Sequence, residues 1–182
     1  MLKSEIRKKI LKIRNSNNYK KININFKYFY NFLKKSINIK NKIIGGYYPV
    51  NCEIDDISIL KKLEKKKIKI SLPSIKNNFT MNFIECSLKD PMIINKYGIP
   101  EPVGKKIVYP DILLIPLVAF DKNLNRIGYG AGYYDRMINY LKKRKKILTI
   151  GLAFNFQECP LIPISKYDKK LDYIITSKKI FK

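Results

Sequence analysis

Residues 126–135 read Arg-Ile-Gly-Tyr-Gly-Ala-Gly-Tyr-Tyr-Asp, with glycine at 128, 130 and 132. Glycine reaches positive φ at little steric cost, so alternating glycines let the backbone turn concave. Successive N–H groups inside such a turn form a cradle for an anion. The residues after Gly132, YYDRMINYLKK, read as a helix, whose first amides and dipole would add to that cradle. Arg126 brings a permanently charged fork of donors suited to phosphate oxygens. Asp135, in the first helical turn, is an oxygen ligand of the kind Mg²⁺ takes beside substrate phosphates. Together these residues make a candidate site for a nucleotide's phosphates and their metal. Plainer readings stay open here. Arg126 can make a surface salt bridge, the glycines a tight turn, and Asp135 a carboxylate favoured by the helix dipole.

The composition narrows the chemistry further. Histidine is absent, which removes the commonest general base, the usual zinc ligand and the Ser-His or Cys-His nucleophile pair. Cys52, Cys86 and Cys159 match no metal spacing and read as free thiols in a reducing compartment. The 38 Lys+Arg outweigh the 14 Asp+Glu, giving a formal charge of +24. That excess suits a nucleic-acid or anionic-membrane partner. The lysines nevertheless recur in nearly every element and form no single stripe, as compositional drift in an AT-biased genome would produce. No apolar run approaches the roughly 20 residues of a membrane span. The first ten residues have no apolar core of the kind a secretory signal needs, so a cytoplasmic location is expected.

The elements that must position these residues follow from periodicity. Leu2, Ile6, Ile10 and Ile13 predict a helix over 2–14, and Phe26, Phe29, Tyr30, Leu33 and Ile37 a second over 24–37. A polar break separates them at 15–18. Residues 42–48 read as a short buried strand, and Ile57, Leu60 and Leu63 mark a third helix beginning near Asp55 and Asp56. Period-two alternation predicts strands at 67–73 and 81–86. Residues 87–110, rich in proline and glycine, read as loop. The apolar run 111–120 and the segment 147–154 read as strands buried on both faces. A proline-bounded loop covers 157–168, and 172–176 is the last predicted strand. Alternating strands and helices predict an α/β fold with helices on both faces of a mainly parallel sheet. Ligands of such sheets sit beyond the carboxyl ends of the strands, which is where the glycine loop falls.

The block DILLIPLVAFDKNLNRIGYGAGYYDR resembles the signature of the 5-formyltetrahydrofolate cyclo-ligase (methenyltetrahydrofolate synthetase) family. Arg126, the three glycines, Tyr133, Tyr134 and Asp135 all match. So do Lys3 and Arg7, Tyr48 and Glu53, Pro73, Met81, Phe83, Gly98, Glu101-Pro102, Gln157 and the segment IPISKYDKKLDYIIT. The resemblance implies one cyclo-ligase domain over 1–182. The implied fold is a three-layer α/β/α scaffold similar to sugar-phosphate isomerase and CoA-transferase-like proteins. It implies ATP contacts at Lys3, Arg7, Arg126, Ile127, Gly128, Tyr129, Gly130, Ala131, Gly132, Tyr133 and Tyr134. It implies folate contacts at Tyr48, Glu53, Tyr129, Gly130, Ala131, Gly132 and Tyr133, and catalytic roles for Arg126 and Tyr133. Asp135 and Asp168 are the implied Mg²⁺ ligands, while Asp172 reads as structural. Phe120 is a further candidate for the pocket wall.

The implied reaction converts 5-formyltetrahydrofolate to 5,10-methenyltetrahydrofolate with ATP and Mg²⁺. The partners expected are therefore small molecules, with no specific nucleic acid, no membrane and a monomeric protein. A missing histidine is compatible with this chemistry, because a formyl oxygen attacks phosphorus without first losing a proton. Two other readings remain at this stage. One is a phosphate-handling enzyme on a similar scaffold that does not use ATP. The other is a nucleic-acid-binding protein, suggested by charge and by the aromatics and lysines interleaved at 19–35.

Overall fold

The computed structural model describes residues 2–16, 22–77 and 79–182. The polar break at 15–18 and the start of the aromatic–lysine stretch lie partly outside them.

The chain forms helix α1 (Lys3–Ser16), helix α2 (Phe26–Ser36), strand β1 (Ile43–Gly45), helix α3 (Ile57–Lys65) and strands β2 (Lys69–Ile75) and β3 (Met81–Cys86). The short strands β4 (Met92–Ile94), β5 (Pro100–Pro102) and β6 (Ile107–Val108) follow. Next come β7 (Ile112–Pro116), β8 (Ala119–Phe120), β9 (Arg126–Ile127), helix α4 (Tyr133–Lys142) and β10 (Leu148–Leu152). A 3₁₀ turn at Asn155–Gln157, then β11 (Tyr173–Ile175) and β12 (Ile180–Phe181), complete the order.

The main sheet runs β12-β11-β10-β7-β1-β2-β3-β6. Its centre, from β11 through β2, is parallel, and the outer strands β12, β3 and β6 join antiparallel. β7 shows how the layers are set. Side chains alternate across a strand, so Ile112 and Leu114 enter one core with α2 and α3, including Phe29, Leu33, Leu60 and Leu63. Leu113 and Ile115 enter the opposite core with Met137, Ile138 and Leu141 of α4. All four β7 side chains are fully buried. The three-layer α/β/α arrangement with a mainly parallel sheet is thus the observed one.

Four differences separate the structure from the sequence reading. The stretch 87–110 carries the β4–β5 hairpin and β6 rather than loop alone. Strands of two or three residues bounded by prolines leave no periodicity to detect. β2 continues past Pro73 to Ile75, because parallel pairing with β1 ends at Gly45 opposite Ser71, and Pro73 then faces only Phe83 of β3. The apolar run 111–120 is two strands: β7 stays in the main sheet, and β8 leaves it to pair antiparallel with β9. The strand at 172–176 is followed by one more, β12, antiparallel to it.

α1 lies outside the two layers. Its Ile6 and Ile10 pack on Val118, Ala119, Ile127 and Ile162, against the β8–β9 ribbon at the carboxyl end of β7. That contact brings the helix beside the glycine loop.

Candidate active site

A cleft of about 1250 Å³ opens at the carboxyl ends of β1, β2 and β7. The glycine loop forms one wall, with positive φ at Gly130 (111°) and Gly132 (69°). Gly128 has no such backbone demand, and a Cβ added there would meet no atom within 4 Å. α4 starts directly after the loop with Gly132 in the left-handed region as its N-cap, so the first amides of that helix open toward the cleft.

The cations expected at the loop are there. Arg7 donates from Nε to the carbonyl oxygen of Gly128 at 2.8 Å, and its guanidinium lies beside Gly130, 3.4 Å from where a Cβ would stand. Lys3, one helical turn earlier, pairs with Asp168. Arg126 is 8% exposed. It donates from Nη2 to Asp135 Oδ1 at 3.0 Å and from Nη1 to the Lys169 carbonyl. Asp135 Oδ1 also accepts the Lys169 amide at 2.9 Å. Thus Lys3, Arg7, Arg126, Asp135 and Asp168 share one end of the cleft, although they come from three distant parts of the chain. Burial tends to raise the Asp168 pKa, but hydrogen bonds from Lys3 and the Ser165 amide bring it below the ordinary carboxylate value.

The other end is acidic and aromatic. Tyr48, Glu53 and Tyr47 line it. Glu53 Oε2 accepts the Val50 amide at 2.9 Å, while Oε1 is buried with no hydrogen-bond partner. Burial pushes the Glu53 carboxyl up to about 7, against the Val50 hydrogen bond, the Arg14 charge and the Tyr129 hydroxyl, which lower it. Asp56, the N-cap of α3, is fully buried and accepts the Tyr47 amide at 2.8 Å. Burial raises its pKa as well.

Tyr129 joins the two ends, with its ring exposed and its hydroxyl held by Arg14. Tyr133 faces the entrance, its hydroxyl 3.2 Å from that of Tyr97 on the β4–β5 turn. Arg136 lies 5.8 Å from the ring centroids of both Phe79 and Tyr133 and donates to the carbonyls of Phe79 and Ala131. Tyr134 also borders the cleft. The side chain of Ile127 is 2% exposed and packs in the core with α1. Phe120 is not part of the wall: it is fully buried, with its ring 4.8 Å from that of Phe181. Asp172 is structural, accepting the amide and hydroxyl of Thr149.

Sequence reasoning missed one contributor, Arg14, and matched two others, Glu101 and Gln157, without giving them a role. Arg14 is fully buried on the α1 face that carries Lys3 and Arg7, and the seven-residue step from Arg7 was the available signal. Glu101 anchors β5 to β2 through Ile75 N at 2.7 Å and Ser74 Oγ at 3.0 Å. Gln157 shapes the turn after β7 by donating to the carbonyls of Leu117 and Val118.

The sequence model of the 5-formyltetrahydrofolate cyclo-ligase family matches residues 1–177. The chain belongs to that family. It is 33% identical over 138 residues to the 5-formyltetrahydrofolate cyclo-ligase of Haemophilus influenzae, covering 71% of this chain and 73% of that protein. It is 34% identical over 145 residues to the Mycoplasma genitalium cyclo-ligase, covering 79% and 76%. Among solved structures, the Aquifex aeolicus 5,10-methenyltetrahydrofolate synthetase superposes with a TM-score of 0.79 at 30% identity, over 99% of this chain and 92% of that one. The Mycoplasma pneumoniae synthetase superposes at 0.73 with 25% identity, over 98% and 100%. Membership of the cyclo-ligase family fits a cleft with a phosphate-type cradle at one end and a buried carboxylate at the other. Among the described residues no helix is long and apolar enough to cross a membrane.

Proposed function

We propose that this protein closes 5-formyltetrahydrofolate to 5,10-methenyltetrahydrofolate at the expense of ATP, within one domain over 1–182. The observation that carries the reading is the division of a single cleft. Lys3, Arg7, Arg126 and the glycine-loop amides gather at one end, and Glu53 with an unpartnered oxygen lies at the other.

The triphosphate lies along Gly128–Gly132 in this reading, with Arg7, Lys3 and Arg126 on its oxygens. Glu53 takes the N–H groups of the pterin, and Tyr48 packs on its ring. The formyl oxygen attacks the γ-phosphorus, the P–O bond to ADP breaks, and an imidate phosphate forms. N10 then bonds to the activated carbon, the C–O bond breaks, and phosphate departs with the N10 proton. No step needs an imidazole base. The protein aligns the two substrates and neutralises developing charge with groups already fixed in place. Tyr133 stands at the entrance, where its hydroxyl can reach the reacting groups.

The donor set fits Mg²⁺. Asp135 and Asp168 are half-buried carboxylates, each already holding a cation, Arg126 and Lys3 respectively. Among the described residues no three His, Cys, Asp or Glu cluster, so phosphate oxygens and water would supply the remaining ligands. The metal would add positive charge beside the phosphates.

The test is direct. Purified protein, 5-formyltetrahydrofolate, ATP and Mg²⁺ are mixed, and methenyltetrahydrofolate is followed by absorbance. Product that requires all three additions supports the reading. No product at any nucleotide concentration refutes it.

A further inference from the structure

A fully buried arginine with no carboxylate bonded to it needs an explanation, because its guanidinium cannot shed its charge. Arg14 is 0% exposed. Nη1 reaches the Leu117 carbonyl at a long 3.4 Å, Nη2 donates to the Tyr129 hydroxyl, and Nε has no partner. Its guanidinium carbon lies 5.6 Å from the Tyr129 ring centroid. Glu53 lines the same cleft as Tyr129; its Oε2 is committed to Val50 and its Oε1 is buried and without a hydrogen-bond partner. Two incompletely partnered groups of opposite charge therefore both interact with one phenol. A phenol can accept a hydrogen bond from a guanidinium and donate one to a carboxylate at the same time.

We infer that Arg14 is a positioning residue that acts through Tyr129 on Glu53, so that the free carboxylate oxygen can receive an N–H donor of the bound ring. This rests on the proposed folate reading only for the identity of that ring.

The surroundings show why such support is needed. Asp55 and Asp56 lie on the segment of Glu53, Tyr47 just after β1 and Tyr134 on α4. Of these, Asp56 crowds the same buried region, and ionised Glu53 opposes the ionisation of Tyr47 and Tyr134. The groups favouring ionised Glu53 are the Val50 amide, the Arg14 charge and the Tyr129 hydroxyl. Without the last two, burial would hold the carboxyl still further toward its protonated form. An acid protonated on that free oxygen presents a donor where the ligand's N–H needs an acceptor.

The test uses ligand-free protein labelled with ¹³C in its glutamate carboxyls, with Glu53→Gln identifying the Glu53 signal. In the wild type this signal titrates near neutrality. In Tyr129→Phe and in Arg14→Gln its midpoint rises by about one unit, a roughly tenfold gain in proton affinity. Arg14→Lys, which keeps the charge, recovers part of the shift. In turnover, the acidic limb of kcat/KM for the formyl-folate moves to higher pH in Tyr129→Phe. An unmoved Glu53 midpoint in Tyr129→Phe overturns the inference, even if Arg14→Gln fails to fold. A shifted midpoint in a protein that binds no folate sustains the inference and removes the folate reading instead.

Discussion

Arg126 and Asp135 face each other across nine residues of chain, Nη2 to Oδ1 at 3.0 Å, and thereby close the glycine loop on itself. The arginine side chain is 4% exposed and the aspartate 27%. The guanidinium is thus held by the fold, and the carboxylate still borders the cleft. A group fixed before reaction loses little in reorganisation when phosphoryl charge develops beside it. Arg126→Gln should lower kcat by about 10²- to 10³-fold, with a much smaller change in affinity for 5-formyltetrahydrofolate. Steady-state kinetics beside equilibrium folate binding separate the two. An unchanged kcat would remove Arg126 from the reacting phosphate.

Asp135 connects that arginine to the expected metal. Asp135→Asn keeps a hydrogen-bond acceptor for Arg126 and the Lys169 amide but removes the charge a divalent cation needs. The concentration of Mg²⁺ giving half-maximal rate should rise several-fold, with the rate partly restored at saturating metal. A titration superimposing on wild type would show that Asp135 serves only the ion pair.

The glycines separate backbone demand from ligand space. Gly130 has φ of 111°, and a Cβ there would stand in ordinary contact with Arg7, 3.4 Å from Nη2. Gly130→Ala should cost about 1–3 kcal/mol of stability as well as activity. Gly128→Ala meets neither the positive φ nor that contact. Its thermal midpoint should match or slightly exceed that of the wild type, while KM for ATP rises. Calorimetry and kinetics on both variants give the comparison. An unchanged KM in Gly128→Ala would place the triphosphate elsewhere.

The elements that carry the site were legible where patterns were long. β7 announced itself as an unbroken apolar run, and α4 as an amphipathic stretch after a glycine. α1 was legible as a helix, but one position of its buried face was misread. Its third buried position, after Ile6 and Ile10, is Arg14, and a charge at the end of an apolar stripe reads as surface until its partner is known. That partner, Tyr129, is 115 residues away, and no local signal links them. The β4–β5 hairpin stayed hidden for another reason. Ile93 and Ile94 are more than half exposed, so hydrophobic alternation, the usual mark of a strand, is absent there. The convergence of Lys3 on Asp168 came from matched motifs rather than from any period in the chain.

Glu53 also ties function to stability. Its carboxyl is raised from 4.5 to about 7 in the folded protein, so the folded state holds this proton more tightly than the unfolded one. Below pH about 4 both states are protonated, and Glu53 adds no pH dependence. As pH rises from there to about 7, the unfolded chain ionises first and folding stability falls. The loss levels off above pH 7 and amounts to roughly 3 kcal/mol at most, at about 1.4 kcal/mol per unit. Glu53→Gln keeps an acceptor for Val50 and removes this cost. Its thermal midpoint should exceed that of the wild type at pH 8 by up to about 10 °C, with the gap closing toward pH 5, while folate turnover collapses. Thermal melts of the two proteins across that range, taken as a difference, cancel the common contributions of Asp56 and Tyr47. A gap that widens toward acid would mean that Glu53 is ionised in the fold at low pH, and that its buried oxygen finds a partner the geometry does not supply.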